Sequence, residues 1–355
     1  MAQQLVISVD AMGGDHGPSV VIGGIKVALE RHPKARFLLH GDESVIRPLL
    51  TSGAVAQACE IRHTASSVSM DAKPSQVLRQ GRESSMARAL QAVAQGEAAV
   101  AISAGNTGAL MALAMFALRT VPGISRPAIA AIWPARNGET VVLDVGANVD
   151  CDAAQLVSFA IMGAAFARVL FGLELPTVGL LNIGTEGVKG NEPVKAAAQI
   201  LHATPLAFKF QGFVEGTDIS ASTVDVVVTD GFTGNVALKT AEGTAKLVAY
   251  YLSTALRRTW INQLGALLSS GAFRALKAKL DPRSVNGGVF LGLNGLVVKS
   301  HGGTDAVGFA SALDMAVDMA SADLVSKIAA DAARMKTSEP VAGALPATIS
   351  GASAT

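Results

Sequence analysis

The chain has 355 residues, half of them apolar and 16% charged, with a mean hydropathy of +0.40. These values exclude intrinsic disorder as its general state and supply enough apolar surface for one large core. Lys and Arg number 29 against 28 Asp and Glu, a net charge of +1, so the whole chain lacks the basic field that recruits nucleic acid, and its two cysteines, Cys59 and Cys151, fit a reducing cytosol better than a disulfide framework.

The opening MAQQLVISVD has neither the basic stretch nor the long apolar run of a secretion signal and reads as a first strand. Short β-branched runs then alternate with longer Ala-rich periodic runs. In chain order the pattern predicts strand 5–9, helix 19–31, strand 36–40, helix 84–95, strand 99–103, helix 109–119, strand 140–144, helix 153–171, strand 178–183, helix 193–202, strands 206–214 and 224–229, helix 235–258, strand 295–299 and helix 305–336. This alternation is that of an α/β fold with a mainly parallel sheet and helices on its faces. The most apolar stretch, 156–175, carries Arg168 and small residues at helical spacing, so it reads as a buried helix and not a membrane span. Residues 1–336 read as one large catalytic α/β domain, and the small, Pro-bearing tail 337–355 as disordered.

No two glycines stand two positions apart, which removes G-x-G-x-x-G. Gly-Lys is missing, and no pair of glycines four apart encloses a serine, so Walker A loops and nucleophile elbows are absent. What recurs is Gly spaced by three in loops that mostly leave strands: Gly14 and Gly17, Gly105 and Gly108, Gly184, Gly187 and Gly190, Gly231 and Gly234, Gly292 and Gly295. Such loops either make tight turns or let backbone N–H groups and helix N-termini approach an anion beyond the carboxyl ends of the strands. Four of them also carry oxyanion-binding side chains: Ser103, Asn106 and Thr107; Asn182, Thr185 and Lys189; Thr229, Thr233 and Asn235; Ser300, His301 and Thr304. Asp10, Asp15, Asp144, Asp230 and Asp305 read first as caps and loop braces, with metal binding as the alternative.

The segments DAMGGDHGP from Asp10, SAGNTGALMA from Ser103, LDVGAN from Leu143, LLNIGTEGVKGNE from Leu180, VVVTDGFTGNVALK from Val226 and NGLVVKSHG from Asn294 closely resemble the bacterial phosphate acyltransferases of phospholipid synthesis, the PlsX family. AKPSQVLRQGRESSM, Ala72 to Met86, looks like that family's basic segment. The resemblance runs from about Leu5 to Ile328. It implies transfer of a fatty acyl group from acyl-[acyl-carrier protein] to inorganic phosphate, giving acyl phosphate for a downstream glycerol-3-phosphate acyltransferase. H-E-x-x-H and C-x-x-C are absent from the sequence, which leaves no local metal signature, and no cofactor is expected. The resemblance further implies a Rossmann-like three-layer fold related to phosphate acetyltransferases and isopropylmalate dehydrogenases, and a cytoplasmic homodimer held peripherally at the inner membrane.

Phosphate is already an anionic nucleophile, so attack on a thioester needs positioning and oxyanion stabilisation more than a strong base. The expected substrate-binding residues are Asp10, Gly13, Gly14, Ser103, Gly105, Asn106, Thr107, Asn182, Gly184, Thr185, Asp230 and Gly234. Lys189 is expected to supply charge, Asn235 to hold phosphate or the thioester oxygen, and His301, with His16 as the other choice, to protonate the departing thiolate. Cys151, ahead of a helix, is the rival nucleophile. The alternatives are a short-chain phosphotransacetylase using acyl-coenzyme A and a non-enzymatic phosphate-binding scaffold.

From 243 to 280 there is no Asp or Glu, while Lys246, Arg257, Arg258, Arg274, Lys277 and Lys279 are all basic. With Tyr250, Tyr251, Trp260, Leu264, Leu267, Leu268 and Phe273 in the same stretch, this reads as an amphipathic helical pair for an anionic membrane surface, for a dimer face, or for an acidic carrier protein.

Overall fold

The computed structural model describes residues 5–51, 53–280 and 287–337. The strands are β1 (Val6–Asp10), β2 (Arg36–Gly41), β3 (Cys59–His63), β4 (Val100–Ser103), β5 (Ala128–Ala135), β6 (Gly138–Leu143), β7 (Thr177–Leu181), β8 (Lys209–Val214), β9 (Val226–Val228), β10 (Gly288–Leu291) and β11 (Leu296–Lys299). The helices are α1 (Pro18–Arg31), α2 (Glu43–Ile46), α3 (Gly53–Ala58), α4 (Pro74–Gln80), α5 (Ser85–Ala94), α6 (Thr107–Leu118), α7 (Ala153–Phe171), α8 (Glu192–Ala203), α9 (Gly216–Ala221), α10 (Gly231–Arg257), α11 (Trp260–Leu268), α12 (Ser270–Leu280), α13 (Ala306–Ser321) and α14 (Leu324–Thr337). The sequence-predicted tail lies, beyond Thr337, outside the described residues.

All eleven strands join one sheet in the order β3-β2-β1-β4-β11-β10-β5-β6-β9-β7-β8. Pairings are parallel except at β11–β10, β10–β5 and β5–β6. The strand β9 shows why this sequence packs on both faces: the side-chain period of two sends Val226 and Val228 to one layer and Val227 to the other. One layer is α1, α13, α14, α7 and α8, and the other is α4, α5, α6 and α9 with the start of α10. The apolar helix α7 is a core element: Phe159, Ala160, Met162, Ala164, Ala165 and Phe166 have no exposed surface, and it packs on β6, β9, α8 and α14. It is the one described helix long and apolar enough to cross a membrane, yet its apolar surface is already covered.

Several elements differ from the sequence reading. Predicted helix 305–336 breaks at Asp323, whose φ of 52° puts it in the left-handed region. The strand β5 is Ala-rich, β10 is only four residues long and β3 is a half-exposed edge, so none carries a strong strand pattern.

The three antiparallel pairings set the geometry of everything that follows. β3, β2, β1, β4 and β11 run one way, and β6, β9, β7 and β8 the other. In a flat sheet the carboxyl ends of these halves would face opposite edges. A twist of about 20–25° per strand rotates the halves toward each other, and α10 spans what separation is left, as its contact with the β11 end demonstrates.

Candidate active site

Three neighbouring strands, β1, β4 and β11, end side by side with Asp10, Ser103 and Lys299, the last two in register. Ser103 Oγ donates to Asp10 Oδ2 at 2.6 Å and accepts from the Gly105 N–H at 3.0 Å, while the Met12 N–H donates to Asp10 Oδ1 at 3.3 Å. Asp10 and Ser103 are each 1% exposed. Burial raises the Asp10 pKa, opposed by its bonds from Ser103 and Met12 and by the Lys299 charge. A Cβ on Gly13 would sit 2.7 Å from both Asp10 Oδ2 and the Gly105 nitrogen, so the β1 and β4 loops approach this closely only because residue 13 has no side chain.

The Lys299 ammonium donates to the Ala104 carbonyl at 3.3 Å and to the Ser300 carbonyl. Burial pushes its pKa down to about 8, against the opposing pull of the Asp10 and Asp15 carboxylates. A step away, Asn106 caps α6 by accepting from the Ala109 N–H at 2.9 Å. No described hydrogen bond engages the first-turn N–H groups of Thr107 or Gly108, which leaves the positive end of α6 open beside this lysine. Gly14 closes the other side, with the Asp15 N–H donating to the Gly302 carbonyl at 2.9 Å.

His301 follows Lys299 by two residues and meets α10. Its Nδ1 accepts from the Gly303 N–H at 3.2 Å, and its Nε2 lies 3.3 Å from Lys239 Nζ, which also pairs with Glu242 at 2.9 Å. Burial first, and then the Lys239 charge, holds the His301 pKa below its ordinary value. One helical turn before Lys239 stands Asn235, beside Gly146. Two ends of the sheet thus meet along one helix.

The start of α10 is more occupied than the sequence suggests. Asp230 accepts from the Thr233 N–H and hydroxyl, both at 2.8 Å, the Gly231 N–H donates to the Asn148 carbonyl at 2.7 Å, and the Gly234 N–H donates to the Asp230 carbonyl at 3.0 Å. The Asp230 carboxylate and the Gly234 N–H therefore serve the cap and the helix. Asp144, fully buried, accepts from the N–H groups of Ile129, Gly146, Ala147 and Asn148 and from Asn148 Nδ2, bracing the loop beneath α10.

Lys189, Asn182, Gly184 and Thr185 lie elsewhere, on the loop after β7, six strands from β4 in the sheet. Lys189 pairs with Glu186 at 2.9 Å and is 44% exposed, and Asn182 Nδ2 donates to the Lys189 carbonyl at 3.1 Å. The cation set among Asp10, Ser103 and Gly105 is Lys299, not Lys189. This loop leads to Asn191, which together with Cys151, Asp230 and Thr233 lines a cavity of about 310 Å³. Burial, reinforced by the Asp144 charge, pushes the Cys151 thiol up to about 12, so it is not a thiolate at neutral pH.

Sequence reasoning missed Lys299 and Lys239. A cation ending a buried β-branched strand was the available signal for Lys299, whereas Lys239 is distinguished only by which face of α10 meets β11.

Fold and site together define a three-layer α/β protein with buried polar and charged groups gathered at its strand ends. The family model described as "Fatty acid synthesis protein" matches residues 5–327, and the chain belongs to that family. It is 61% identical over 337 residues to a protein of Parvibaculum lavamentivorans named "Phosphate acyltransferase", covering 94% of this chain and 93% of that one. With proteins of the same name it is 59% identical over 330 residues in Xanthobacter autotrophicus (92% and 93% covered) and 53% identical over 347 residues in Rhodospirillum centenum (98% of each). The enzyme is an acyltransferase. Among solved structures, a phosphotransacetylase from Streptococcus pyogenes matches with a TM-score of 0.56 at 19% identity, covering 90% of this chain and 95% of that one. A 4-hydroxythreonine-4-phosphate dehydrogenase from Salmonella typhimurium matches with a TM-score of 0.51 at 14% identity, covering 89% and 99%. These two share the fold.

Proposed function

We propose that the enzyme transfers a fatty acyl group from acyl-[acyl-carrier protein] to inorganic phosphate. The observation that carries this reading is a partly buried lysine, Lys299, beside the open N-terminus of α6, a pairing of charge and N–H donors that suits a tetrahedral dianion. The relatives named phosphate acyltransferase support the same chemistry.

In the proposed reaction a hydrogen phosphate oxygen attacks the thioester carbonyl carbon, forming a C–O bond. The C–S bond then breaks, and the proton released from phosphate leaves on the thiol. Lys299, the Thr107 and Gly108 N–H groups and the Gly13–Gly14 turn hold phosphate. Asn235 faces the thioester oxygen, and His301, held neutral beside Lys239, passes the proton to sulfur. No covalent enzyme intermediate is needed, which agrees with the high pKa of Cys151. Exposed Phe232 and Val236 on α10 offer apolar surface for the acyl chain.

The product, a mixed anhydride, suits transfer to a hydroxyl by a glycerol-3-phosphate acyltransferase. The location we propose is the cytoplasmic side of the inner membrane, with the chain working as a homodimer. The support lies in α10 to α12. No side chain of α11 is buried, and Trp260 (74%), Leu264, Leu267 and Leu268 (80%) are exposed, while Phe273 is half-buried. Lys246, Arg257, Arg258 and Arg274 share this surface; the side chains of Lys277 and Lys279 lie outside the described residues.

The test is acyl phosphate production, trapped as hydroxamate, from acyl-[acyl-carrier protein] and phosphate. Formation that depends on both substrates supports the reading. Turnover confined to acetyl-coenzyme A favours a short-chain phosphotransacetylase, and phosphate binding without turnover favours a scaffold.

A further inference from the structure

A donor thioester must reach Lys299 and Ser103 from outside, and the segment at that entrance is 64–83. Asn106 Nδ2 donates to the Met70 carbonyl at 2.5 Å and to the Ala72 carbonyl at 3.3 Å. A Cβ on Gly302 would meet Met70 Cε at 2.8 Å, and one on Gly108 would meet Pro74 Cγ at 3.0 Å. Residues 70–74 therefore sit directly on the mouth of the site, and α4, which starts at Pro74, lies outside it against α6.

The helix α4 buries only Val77. Lys73 stands at its N-cap, Arg79 in its last turn and Arg82 just beyond it, all exposed, with Asp71 and the Arg88-paired Glu83 as the acids nearby. Among the described residues none of these three cations pairs with an acid. Arg82 instead lies over the exposed Phe116 ring, 4.6 Å from its centroid. Some surface cations elsewhere are matched locally, Arg47 with Glu43, Arg88 with Glu83 and Lys195 with Glu192, and what sets Lys73, Arg79 and Arg82 apart is that they gather at the entrance. A cluster of unmatched positive charge on a short helix at a substrate entrance is poised to meet negative charge brought by the substrate's carrier.

We propose that Lys73, Arg79 and Arg82 form the docking surface for an acidic carrier protein that presents the acyl thioester. This rests on the carrier-bound donor proposed above. Docking here places the carrier at the α6 end of the site, so that a flexible arm bearing the thioester passes Met70 to reach Lys299. The basic surface of α10 to α12 is separate and is left for lipid.

The experiment compares two donors carrying the same acyl group, one on the acyl-carrier protein and one on pantetheine, with wild type and with Lys73→Glu/Arg79→Glu. The expected result at low salt is a rise of about tenfold or more in KM for the carrier-bound donor, shrinking at high salt. The KM values for acyl-pantetheine and phosphate stay within about twofold of wild type, because the rim charges touch neither. Arg82→Gln, which keeps the helix uncrowded, gives a smaller shift of the same kind. Fluorescence anisotropy of labelled, acyl-free carrier protein reads the same weakening without turnover. Equal losses on both donors would assign the segment to the site's architecture and overturn the proposal, as would unchanged carrier affinity. Loss of anionic vesicle binding with intact carrier affinity would make α4 a lipid face and overturn it as well. A wild type that rejects the carrier-bound donor while using acyl-pantetheine would remove both this docking surface and the donor proposed above. Failure of the variant's effect alone removes only the surface.

Discussion

Lys299 holds its position at the cost of burial, and that cost is visible in a pKa pushed down from 10.5 to about 8. Two effects of opposite sign follow. The unfolded chain binds the proton more tightly between about pH 8 and 10.5, so Lys299 makes folding more favourable as pH rises through that window. Phosphate needs the charged form, so its binding weakens as pH rises past about 8. Lys299→Gln should raise the phosphate KM roughly tenfold to a hundredfold, as expected for one charged hydrogen bond, and should abolish the alkaline rise in KM. An unchanged pH profile would remove Lys299 from the phosphate site. His40 gives the same sign in an acidic window: buried on β2 with Nε2 2.9 Å from Ser8 Oγ, its pKa is pushed down to about 4 from 6.5. It contributes nothing against folding above pH 6.5 and progressively destabilises below it. Urea unfolding should show wild type losing about 2 kcal/mol more than His40→Gln between pH 7 and 5, the worth of about 1.5 pH units.

At the scale of the element, α10 is one helix with two kinds of glycine. A Cβ on Gly234 would lie 2.0 Å from the Asp144 carbonyl oxygen, whereas one on Gly243 meets nothing within 4 Å. Gly234→Ala must push α10 off the Asp144 loop, costing about 1–3 kcal/mol and displacing Asn235 and Lys239 together. Gly243→Ala should instead stabilise by about 0.5–1 kcal/mol through helix propensity. Thermal melts paired with turnover distinguish them: Gly234→Ala lowers both, Gly243→Ala raises the melting temperature and leaves turnover alone. Similar melting temperatures for the two variants would show that α10 is not pinned by the Asp144 loop.

For the whole molecule, the sheet and its two helical layers form the core, while α11 stands clear of them with no buried side chain. A surface so apolar, with basic side chains worth about 1 kcal/mol each near anionic lipid, favours reversible membrane attachment. Leu268→Glu should cut cosedimentation with anionic vesicles severalfold while turnover on soluble substrates stays within about twofold. Undiminished cosedimentation would redirect this face to subunit packing, with sedimentation equilibrium then expected to show the variant dissociating.

Much of this architecture was legible because it is local. The short β-branched runs ending in Asp10 and Ser103, the long apolar run of α7, and the capping roles of Asp230 and Asp305 need only near neighbours to be read. The Gly-x-x-Gly loops correctly marked strand ends, and Gly13 and Gly105 do meet Asp10 and Ser103. What local pattern could not carry is which loops meet. By local pattern Lys189, set between loop glycines, stands out as the phosphate cation and Lys299 reads only as the end of a strand. Strand order sends the first to a loop six strands from β4 and pairs the second in register with Ser103. Likewise the sequence by itself determined that α10 is long and follows a glycine-rich turn, but only the tertiary path of α10, across the gap that the strand reversal leaves, brings Lys239 against His301. Propensity and periodicity are settled within a few residues, whereas register and strand direction depend on segments hundreds of residues apart competing for one sheet.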